Sequence, residues 1–572
     1  MKEFTIKAII LGIFLSIIFG CANAYLGLKM GMTVSASIPA AVISMAILRG
    51  ILRKGTVLEN NIVQTIASAG ESLAAGVIFT VPALIMMGLN VSILYIFLVS
   101  FAGGVLGVLL MIVVRKRFIE DEDKTLPYPE GRACAEVLKA GDEGGEKAKN
   151  VFIGITVGFL YKILSMGFHL FKDIIEFLFK IRTNLMLSFD NSPSLLGVGF
   201  ILGLRISFLV MAGGLLGWFG IMPLIQAFLP EAKDLMPNLI WSKYIRYIGA
   251  GAVLAGGIIS FSKAIISIFS KGKISLNGII TKKDLPFGFI LAGLIFIYIF
   301  LSLIPLFKQN FISSLFIIIF SFLFVIVSSR IVGIVGSSSN PVSGMTIATL
   351  LIISLIFLKL GFKGQEGIIA ALTVGAIVCI GAAIAGDTSQ DLKTGFLLGA
   401  TPKFQQIGEF IGVIFSAIFI GWTLFLLNKA YKIGSQILSA PQATLMKLVV
   451  EGVFKENMPW ELLIAGIGIA ISIEILGLPS LPFAVGLYLP LSLSTTIGIG
   501  GIISHFIKEK GKGILLSSGL VAGDALAGIF IAILIVTRLP IFSFKIPFLS
   551  DSPFFSLFFL LILGIFLFFK SK

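Results

Sequence analysis

Long apolar runs recur along almost the whole 572-residue chain, and they constrain its fold more than any other feature. About sixteen such segments can be marked, from roughly 5–24 to roughly 549–569. As helices, runs of this length cross the hydrocarbon layer of a membrane with their backbone hydrogen bonds satisfied. A β-barrel would show short alternating strands instead. The sequence predicts an all-α polytopic membrane protein with about 16 (12 to 16) transmembrane helices, some of them broken or re-entrant.

The composition and the distribution of charge agree with this class. Of all residues 57% are hydrophobic and 13% are charged, whereas a soluble protein carries about 25% charged residues. The net charge of +15 does not indicate nucleic-acid binding, because the basic residues lie in short loops beside apolar segments. Lys2, Arg49 and Arg115 fall on one side of the membrane if both termini are cytoplasmic. The N-terminal run has no convincing cleavage site and is interpreted as the first helix of an inner-membrane protein.

Motifs for metal binding, redox chemistry and catalysis are absent from the sequence. The cysteines Cys21, Cys134 and Cys379 are far apart, and the chain has only two histidines. Neither a metal centre nor a disulfide framework is predicted. There is no Walker A motif and no nucleophile with an adjacent base. We therefore expect a protein that is not an enzyme and needs no cofactor. A proton gradient is expected as its energy source because of the repeated acidic residues described below.

Internal repeats give the domain organisation. Ala69–Ala74 matches Ala522–Ala527, and Val198–Gly214 aligns without gaps to Val485–Gly501. A two-helix module is predicted to recur four times, near 25–87, 198–262, 337–390 and 485–535. This pattern predicts two pseudo-symmetric halves. Their predicted limits are 1–270, which includes a hydrophilic loop at 115–150, and 336–572, with connecting transmembrane segments at 271–335.

Acidic residues occupy one repeated position of this module. The four copies carry Glu71, Ala252, Asp387 and Asp524 there, within helices of small residues. Ionisable groups are rare in membrane segments and usually serve a function. We predict proton coupling at Glu71, Asp387 and Asp524. The alternative is that these acids begin helices at the cytoplasmic interface, where the helix dipole stabilises them.

A substrate site is predicted where helices are interrupted. Asn340 and Pro341 break an apolar run and, with Gly344, leave backbone groups free to bind a zwitterion. A packing kink is the alternative. Tyr25, Lys29 and Tyr488 could instead be anchors at the membrane interface. Asp391 and Lys393 could be loop charges. The predicted substrate-binding residues are Tyr25, Lys29, Ser339, Asn340, Pro341, Gly344, Asp387, Gln390 and Tyr488.

The hydrophilic loop contains a turn followed by a short helical stretch. Pro127–Gly131 is rich in turn-forming residues, and Arg132–Lys139 has the composition of a short helix. The segment is either a solvated connector or an ordered part of the protein, and its sequence does not separate these readings.

Several stretches, taken in order, carry a resemblance that spans nearly the whole chain. They include Asn23–Val42, Leu126–Gly141, Ile245–Gly257, Gly386–Gln406 and Leu481–Ser494. The sequence resembles the oligopeptide transporter (OPT) family in its prokaryotic branch, which is related to the yellow-stripe-like transporters. The resemblance implies about 16 helices that arose by duplication. It also implies proton-coupled uptake of small peptides or of metal–chelate complexes.

The expected function is proton-coupled symport of small oligopeptides across the cytoplasmic membrane. The alternative is uptake of siderophore-like or nicotianamine-like metal chelates, and the sequence does not separate the two substrates. An ion channel is less favoured, because a channel lines its pore with rings of like residues in an oligomer. The expected partners are the small substrate and the lipid bilayer, with no nucleic acid. Assembly into a homo-oligomer is left open.

Overall fold

The computed structural model describes residues 2–89, 91–140, 146–180, 184–270, 281–337, 340–455, 459–539 and 545–572. These residues are mostly helical, as predicted. The first helices are α1 Ile6–Met30, α2 Ser37–Met45, α3 Val57–Met86, α4 Ile93–Arg115, α5 Pro129–Ala140, α6 Glu146–Lys162, α7 Pro193–Leu215, α8 Met222–Phe228, α9 Pro237–Ile240 and α10 Arg246–Ser270. The remaining helices are α11 Phe287–Leu303, α12 Phe311–Val335, α13 Val342–Lys359, α14 Gly364–Leu398, α15 Pro402–Tyr431, α16 Pro441–Lys455, α17 Trp460–Ile475, α18 Ser480–Tyr488, α19 Leu491–His505, α20 Lys510–Thr537 and α21 Pro553–Ser571.

Two strands, β1 Ile174–Lys180 and β2 Asn184–Asp190, form an antiparallel pair in which Ile174 faces Asp190. This hairpin was not predicted. The apolar run 151–179 is one of the predicted membrane helices, but it is helical only to Gly167 and continues into β1. The C-terminal end of β2 is held by Thr496 on α19, which accepts a hydrogen bond from the Asp190 amide (3.1 Å) and donates one to the Asp190 carbonyl (2.8 Å).

The protein is a polytopic membrane protein. Eleven helices among the described residues are long and apolar enough to cross a membrane, and Ser37–Ile51 and Phe287–Leu303 are shorter apolar helices. The count of about 16 stays a prediction. One predicted segment, 481–506, is divided into α18 and α19 at Pro490, which lacks a backbone donor and so interrupts the helix.

The chain packs into two compact units. The first unit comprises Met1–Ala148 and Ser260–Met458, and the second comprises Lys149–Ile259 and Pro459–Lys572. The first and third predicted modules fall in the first unit, and the second and fourth fall in the second unit. Each predicted half therefore contributes to both units. Their relation by pseudo-symmetry stays a prediction.

Helices α3 and α14 form the centre of the first unit. Their most apolar windows are 89% and 94% buried inside the protein, so little of either helix is left for lipid. Small residues allow this closeness, because a membrane interior offers no hydrophobic drive between helices and packing must supply the attraction. On α4, a Cβ added to Gly107 would lie 2.7 Å from the Gly381 carbonyl oxygen of α14.

Replacing Gly107 with alanine tests this packing. The new methyl group would contact backbone, which cannot rotate away, so α4 and α14 must separate. We expect a loss of about 1–3 kcal/mol in stability, seen as a lower thermal unfolding midpoint in detergent. Gly288→Ala is the matched control, since a Cβ there meets nothing within 4 Å. Equal midpoints for Gly107→Ala and wild type would contradict the described contact.

Candidate functional site

The break between α1 and α2 supplies donors to a buried carboxylate. Helix α1 ends at Gly31, whose φ of +71° is in the left-handed region that favours glycine. The following residues, 32–36, have no regular secondary structure, which leaves amides outside the helical ladder. The Ala36 amide donates to Oε2 of Glu71 (2.7 Å), and Nδ2 of Asn23 donates to Oε1 (3.0 Å). Glu71 is therefore an acceptor that holds this break against α3.

Two aspartates, one turn apart on α14, lie on the face that meets α3. Asp387 accepts a hydrogen bond from the Ser72 hydroxyl of α3, and its Oδ1 is buried without a partner. Asp391 accepts hydrogen bonds at Oδ1 from Nε2 of Gln64 and, more weakly, from the Ser37 hydroxyl (3.4 Å). Residues four apart are neighbours on one helix face, so the two carboxyl groups belong to one site.

Glu409 on α15 adds a fourth carboxyl group. Its side chain is fully buried, and neither carboxyl oxygen has a hydrogen-bond donor among the described residues. The groups facing it are the carboxyl group of Asp391 and the hydroxyl of Thr388. This residue was not predicted from the sequence.

These four carboxyl groups have no basic partner. Among the described residues, no lysine or arginine forms an ion pair with Glu71, Asp387, Asp391 or Glu409. Burying an unpaired charge is costly, so such groups need dipoles, as Glu71 has from its two amide donors, or must bind protons or a cationic ligand. The described part of the chain contains no group of three His, Cys, Asp or Glu placed to hold a metal ion. The chemistry this arrangement supports is proton binding and recognition of a positive group.

The predicted break at Asn340 and Pro341, called the broken element from here on, lies beside Asp387. Nδ2 of Asn340 donates to the Ser328 hydroxyl (2.7 Å), and a Cβ added to Gly386 would lie 2.7 Å from the same nitrogen. The Oδ1 of Asn340 is buried without a partner. Pro341 immediately precedes α13, and Gly344 is buried in its first turn. Ser339 lies outside the described residues.

Gln390 connects three elements through its amide. Its Oε1 accepts a hydrogen bond from the Gly131 amide of α5 (2.7 Å), and its Nε2 donates to the Val332 carbonyl of α12 (3.0 Å). Both polar atoms are thus engaged in holding α5 and α12 against α14.

Tyr25 and Lys29 are both buried near the end of α1. The Tyr25 ring lies 6.0 Å from the ring of Tyr431 on α15, and the Ser439 hydroxyl donates to the Lys29 carbonyl (3.0 Å). The chain just before α16 therefore packs on this end of α1, next to the break that presents Ala36 to Glu71.

The other two predicted residues lie in the second unit. The Tyr488 hydroxyl accepts a hydrogen bond from Nε of Arg246 (3.1 Å), whose guanidinium group also lies 5.4 Å from the centre of the Trp241 ring. Asp524 is fully buried and accepts a hydrogen bond from the Ser194 hydroxyl (2.5 Å). Lys162, which pairs with Asp173 at 2.7 Å, faces Asp524.

The segment around α5 is not a solvated connector. The Tyr128 amide donates to the Gly333 carbonyl (2.8 Å), the Thr394 hydroxyl donates to the Gly131 carbonyl (3.0 Å), and Cys134 is buried. Glu130 accepts a hydrogen bond from the Ser337 amide at 3.0 Å. Helix α5 therefore docks on α14 and on the broken element, and the interpretation of this stretch as a solvated connector is wrong.

Asp391 and Lys393 are not loop charges, because both are buried on α14. Nζ of Lys393 donates to the Ile119 carbonyl (2.9 Å) and forms an ion pair with Asp123, which also pairs with Arg132 at 2.6 Å. The hydrogen bond from Lys393 holds the pKa of Asp123 below its ordinary range, against a smaller opposite effect of burial.

Comparison with known proteins assigns this architecture to a family. The family profile described as "OPT oligopeptide transporter protein" matches residues 3–535. A Haemophilus influenzae protein provisionally named an oligopeptide transporter is 32% identical, over 89% of this chain and 92% of its own length. The chain belongs to the OPT family.

More distant OPT proteins carry a different name. The metal-nicotianamine transporter YSL3 of Arabidopsis thaliana is 22% identical, over 76% of this chain and 73% of its own length. YSL5 of the same plant, provisionally named a metal-nicotianamine transporter, is 23% identical over 92% of this chain and 86% of its own length. The family and its named relatives are transporters and not enzymes.

The Asp123–Lys393 pair of this OPT protein gives a pH-dependent prediction. A carboxyl group whose pKa is lowered on folding stabilises the protein above its unfolded pKa, and that contribution is lost as the pH falls through the folded pKa. At pH 7, Asp123→Asn should destabilise the protein by about 1 kcal/mol, since partial exposure screens the pair. The difference in thermal midpoint from wild type should shrink below about pH 3.9.

An exposed pair provides the control for this measurement. Asp551 pairs with Lys545 at 2.8 Å, with both side chains more than half exposed, so Asp551→Asn should change the midpoint very little. A difference between Asp123→Asn and wild type that stays constant down to pH 3 would contradict the assigned ion pair.

Proposed function

We propose that this OPT protein is a secondary active transporter that couples proton entry to the uptake of small oligopeptides across the cytoplasmic membrane. The observation that carries the proposal is the set of four buried carboxyl groups without a basic partner, placed beside two helix breaks. The name of the Haemophilus influenzae relative supports oligopeptides as the substrate.

Substrate binding is assigned to the broken element and its neighbours. Asp387 and the buried Oδ1 of Asn340 are acceptors suited to the amino terminus of a peptide. The break at Pro341 and Gly344, with Ser339, contributes backbone and hydroxyl groups. Tyr25 and Lys29 are assigned to the carboxyl end of the substrate. Gln390 is assigned an indirect part, because its amide already binds α5 and α12.

Alternating access is assigned to the repeated modules. The proposal keeps about 16 helices in two pseudo-symmetric halves, with both termini cytoplasmic, as the positive-inside rule favours. Proton coupling is assigned to buried carboxyl groups in both units, represented by Glu71, Asp387 and Asp524. Tyr488, in the second unit, is kept as a substrate-binding residue, and a hydrogen bond from Nε of Arg246 orients its hydroxyl group.

A second candidate function is uptake of metal–chelate complexes. It is favoured by the names of YSL3 and YSL5, which match most of this chain. A nicotianamine-like chelate also presents carboxyl and amino groups, so the same acceptors would serve. The metal would then be cargo bound by the chelator. The higher identity to the Haemophilus influenzae protein favours the peptide.

Uptake by proteoliposomes distinguishes these substrates. Wild-type protein would receive an inward pH gradient and labelled di- to hexapeptides or an iron–nicotianamine chelate. We expect peptide accumulation that a protonophore abolishes and that Asp387→Asn reduces to the same background level, because the negative charge that binds the amino terminus is lost. Asp234→Asn, at an exposed position of the second unit, is the matched control and should accumulate peptide like wild type.

The remaining outcomes assign other functions. Accumulation of the chelate alone would transfer the assignment to metal uptake. Flux of simple ions that ignores the pH gradient would replace the transporter by a channel. Peptide accumulation in Asp387→Asn equal to wild type would remove Asp387 from the site.

A further inference from the structure

We propose that Asp391 and Glu409 share one proton and form the site at which this transporter couples proton movement to substrate. This inference rests on the proposed function and names its proton-binding residues, both of which lie outside the repeated sequence position. Proton binding here involves only an O–H bond to a carboxyl oxygen, which forms on uptake and breaks on release.

The environments of the buried carboxyl groups differ in their donors. Glu71 receives a backbone amide and a side-chain amide, so fixed dipoles stabilise its charge. Neither oxygen of Glu409 has a donor within hydrogen-bond distance among the described residues, although its side chain is 0% exposed and the Thr388 hydroxyl faces it. A bare carboxylate in that position would lack water and the amide donors that Glu71 has. Glu71 is thus suited to hold the α1–α2 break, and Glu409 is suited to hold a proton.

Asp391 faces Glu409 across the α14–α15 contact, because Nε2 of Gln405, one turn before Glu409 on α15, donates a hydrogen bond to the Asp391 carbonyl (2.7 Å). The donors Gln64 and Ser37 both reach Oδ1 of Asp391 and leave its Oδ2 without a donor. A carboxylate only accepts hydrogen bonds, so two carboxyl groups can bond to each other only when one carries a proton. With one shared proton the pair has a single negative charge, and the donors on Oδ1 stabilise it. Without that proton, two adjacent negative charges would repel each other across the α14–α15 contact.

A second polar group points to the same ligand. The amide of Gln64 donates to Asp391 through Nε2, while its carbonyl Oε1 is buried without a partner. Gln64 itself is fully buried on α3. The carbonyl oxygen of Gln64 therefore belongs to the same amide group that binds Asp391, where it can accept a hydrogen bond from an O–H group of the pair. The pair thus has a neighbouring acceptor for a proton that it receives or passes on.

The titratable groups around the pair carry negative charge or none. They are Asp387 on the same helix, Glu71 on α3, and Glu130 and Cys134 on α5. Lys393 lies on another side of α14, where its ammonium group is held by Asp123. No basic group therefore competes with the proton among the described residues that face the pair.

The position of Asp387 links the proton to the substrate. Asp387 precedes Asp391 by one helical turn, a separation of about 6 Å between neighbouring side chains. A positive amino group bound at Asp387 would reduce the negative potential at the pair, and an empty site would restore it. Substrate and proton therefore influence each other's binding through one helix. Ser37 adds a mechanical link, because it begins α2 next to the break that Glu71 holds.

The transport test compares two modes of the same protein. Proteoliposomes with wild type, Glu409→Gln or Asp391→Asn would take up labelled trialanine under an inward pH gradient. Separately, they would exchange trialanine at equal pH, where no net proton movement is required. We expect the ratio of driven uptake to exchange to fall, in both variants, to the ratio that wild type shows with a protonophore. Glu366→Gln, at an exposed position of the same helix, should keep the wild-type ratio.

A spectroscopic test needs no substrate. Infrared difference spectra between neutral and alkaline pH should show in wild type the carbonyl band of a hydrogen-bonded, protonated carboxyl group. The band should disappear in Glu409→Gln and in Asp391→Asn, and it should remain in Glu366→Gln. Size-exclusion profiles establish that each variant is folded, and Asp391→Asn carries the test if Glu409→Gln fails to fold.

The two tests separate failure of this inference from failure of the proposed function. A wild-type ratio in Glu409→Gln, or carboxyl bands in both variants that are unchanged from wild type, would overturn the shared proton. Uptake driven by a sodium gradient without protons would also overturn it. Wild-type uptake that ignores the pH gradient would refute the proposed function, and the infrared measurement would then decide on the pair by itself.

Discussion

Removal of carboxyl groups from water is the physical constraint on which the first unit depends. An ionised carboxyl group without water needs dipoles, a counter-charge or a proton. Each of these solutions has its own place in the first unit. Glu71 has amide donors from α1 and from the α1–α2 break. Asp123, which keeps part of its contact with water, has the ammonium group of Lys393 as a counter-charge. Glu409 has neither, which leaves protonation or a cationic ligand as its means of neutralisation.

The helix breaks follow from the same need. A broken helix exposes amides and carbonyls that lipid cannot satisfy, so it must lie inside protein. In the α1–α2 break, the Ala36 amide donates a hydrogen bond to Glu71. In the break before α13, Asn340 donates a hydrogen bond to Ser328 and lies beside Gly386. Helix α5 closes over the second break through Glu130 and Ser337. Carboxyl groups and irregular backbone are therefore neighbours, because the break offers hydrogen-bond donors and the carboxyl groups offer acceptors.

The sequence predicts the class of fold well and the site in part. Apolar runs longer than a membrane is thick identify most of the helices, and the repeated small-residue frame identifies Glu71 and Asp387. The hairpin escapes such reasoning, because β1 reads IIEFLFK and is as apolar as a helix. Glu409 escapes it as well. It is a single acid near the start of the apolar run 407–428, which is typical of an interfacial residue, and only the packing of α15 beside α14 places it against Asp391.

Lys393 shows why sequence position is a poor guide to the environment of a charge. It follows Asp391 by two residues, and a helix turns such neighbours to different sides. Asp391 therefore faces α3 and α15, whereas Lys393 reaches the carbonyl of Ile119 and the carboxyl group of Asp123. The ammonium group therefore binds the segment that leads into α5 and does not neutralise the carboxyl groups of Asp387, Asp391 and Glu409. One turn of α14 anchors α5 with a basic residue and, on its other side, keeps a pair of acids free of basic partners, which is the condition that proton binding requires.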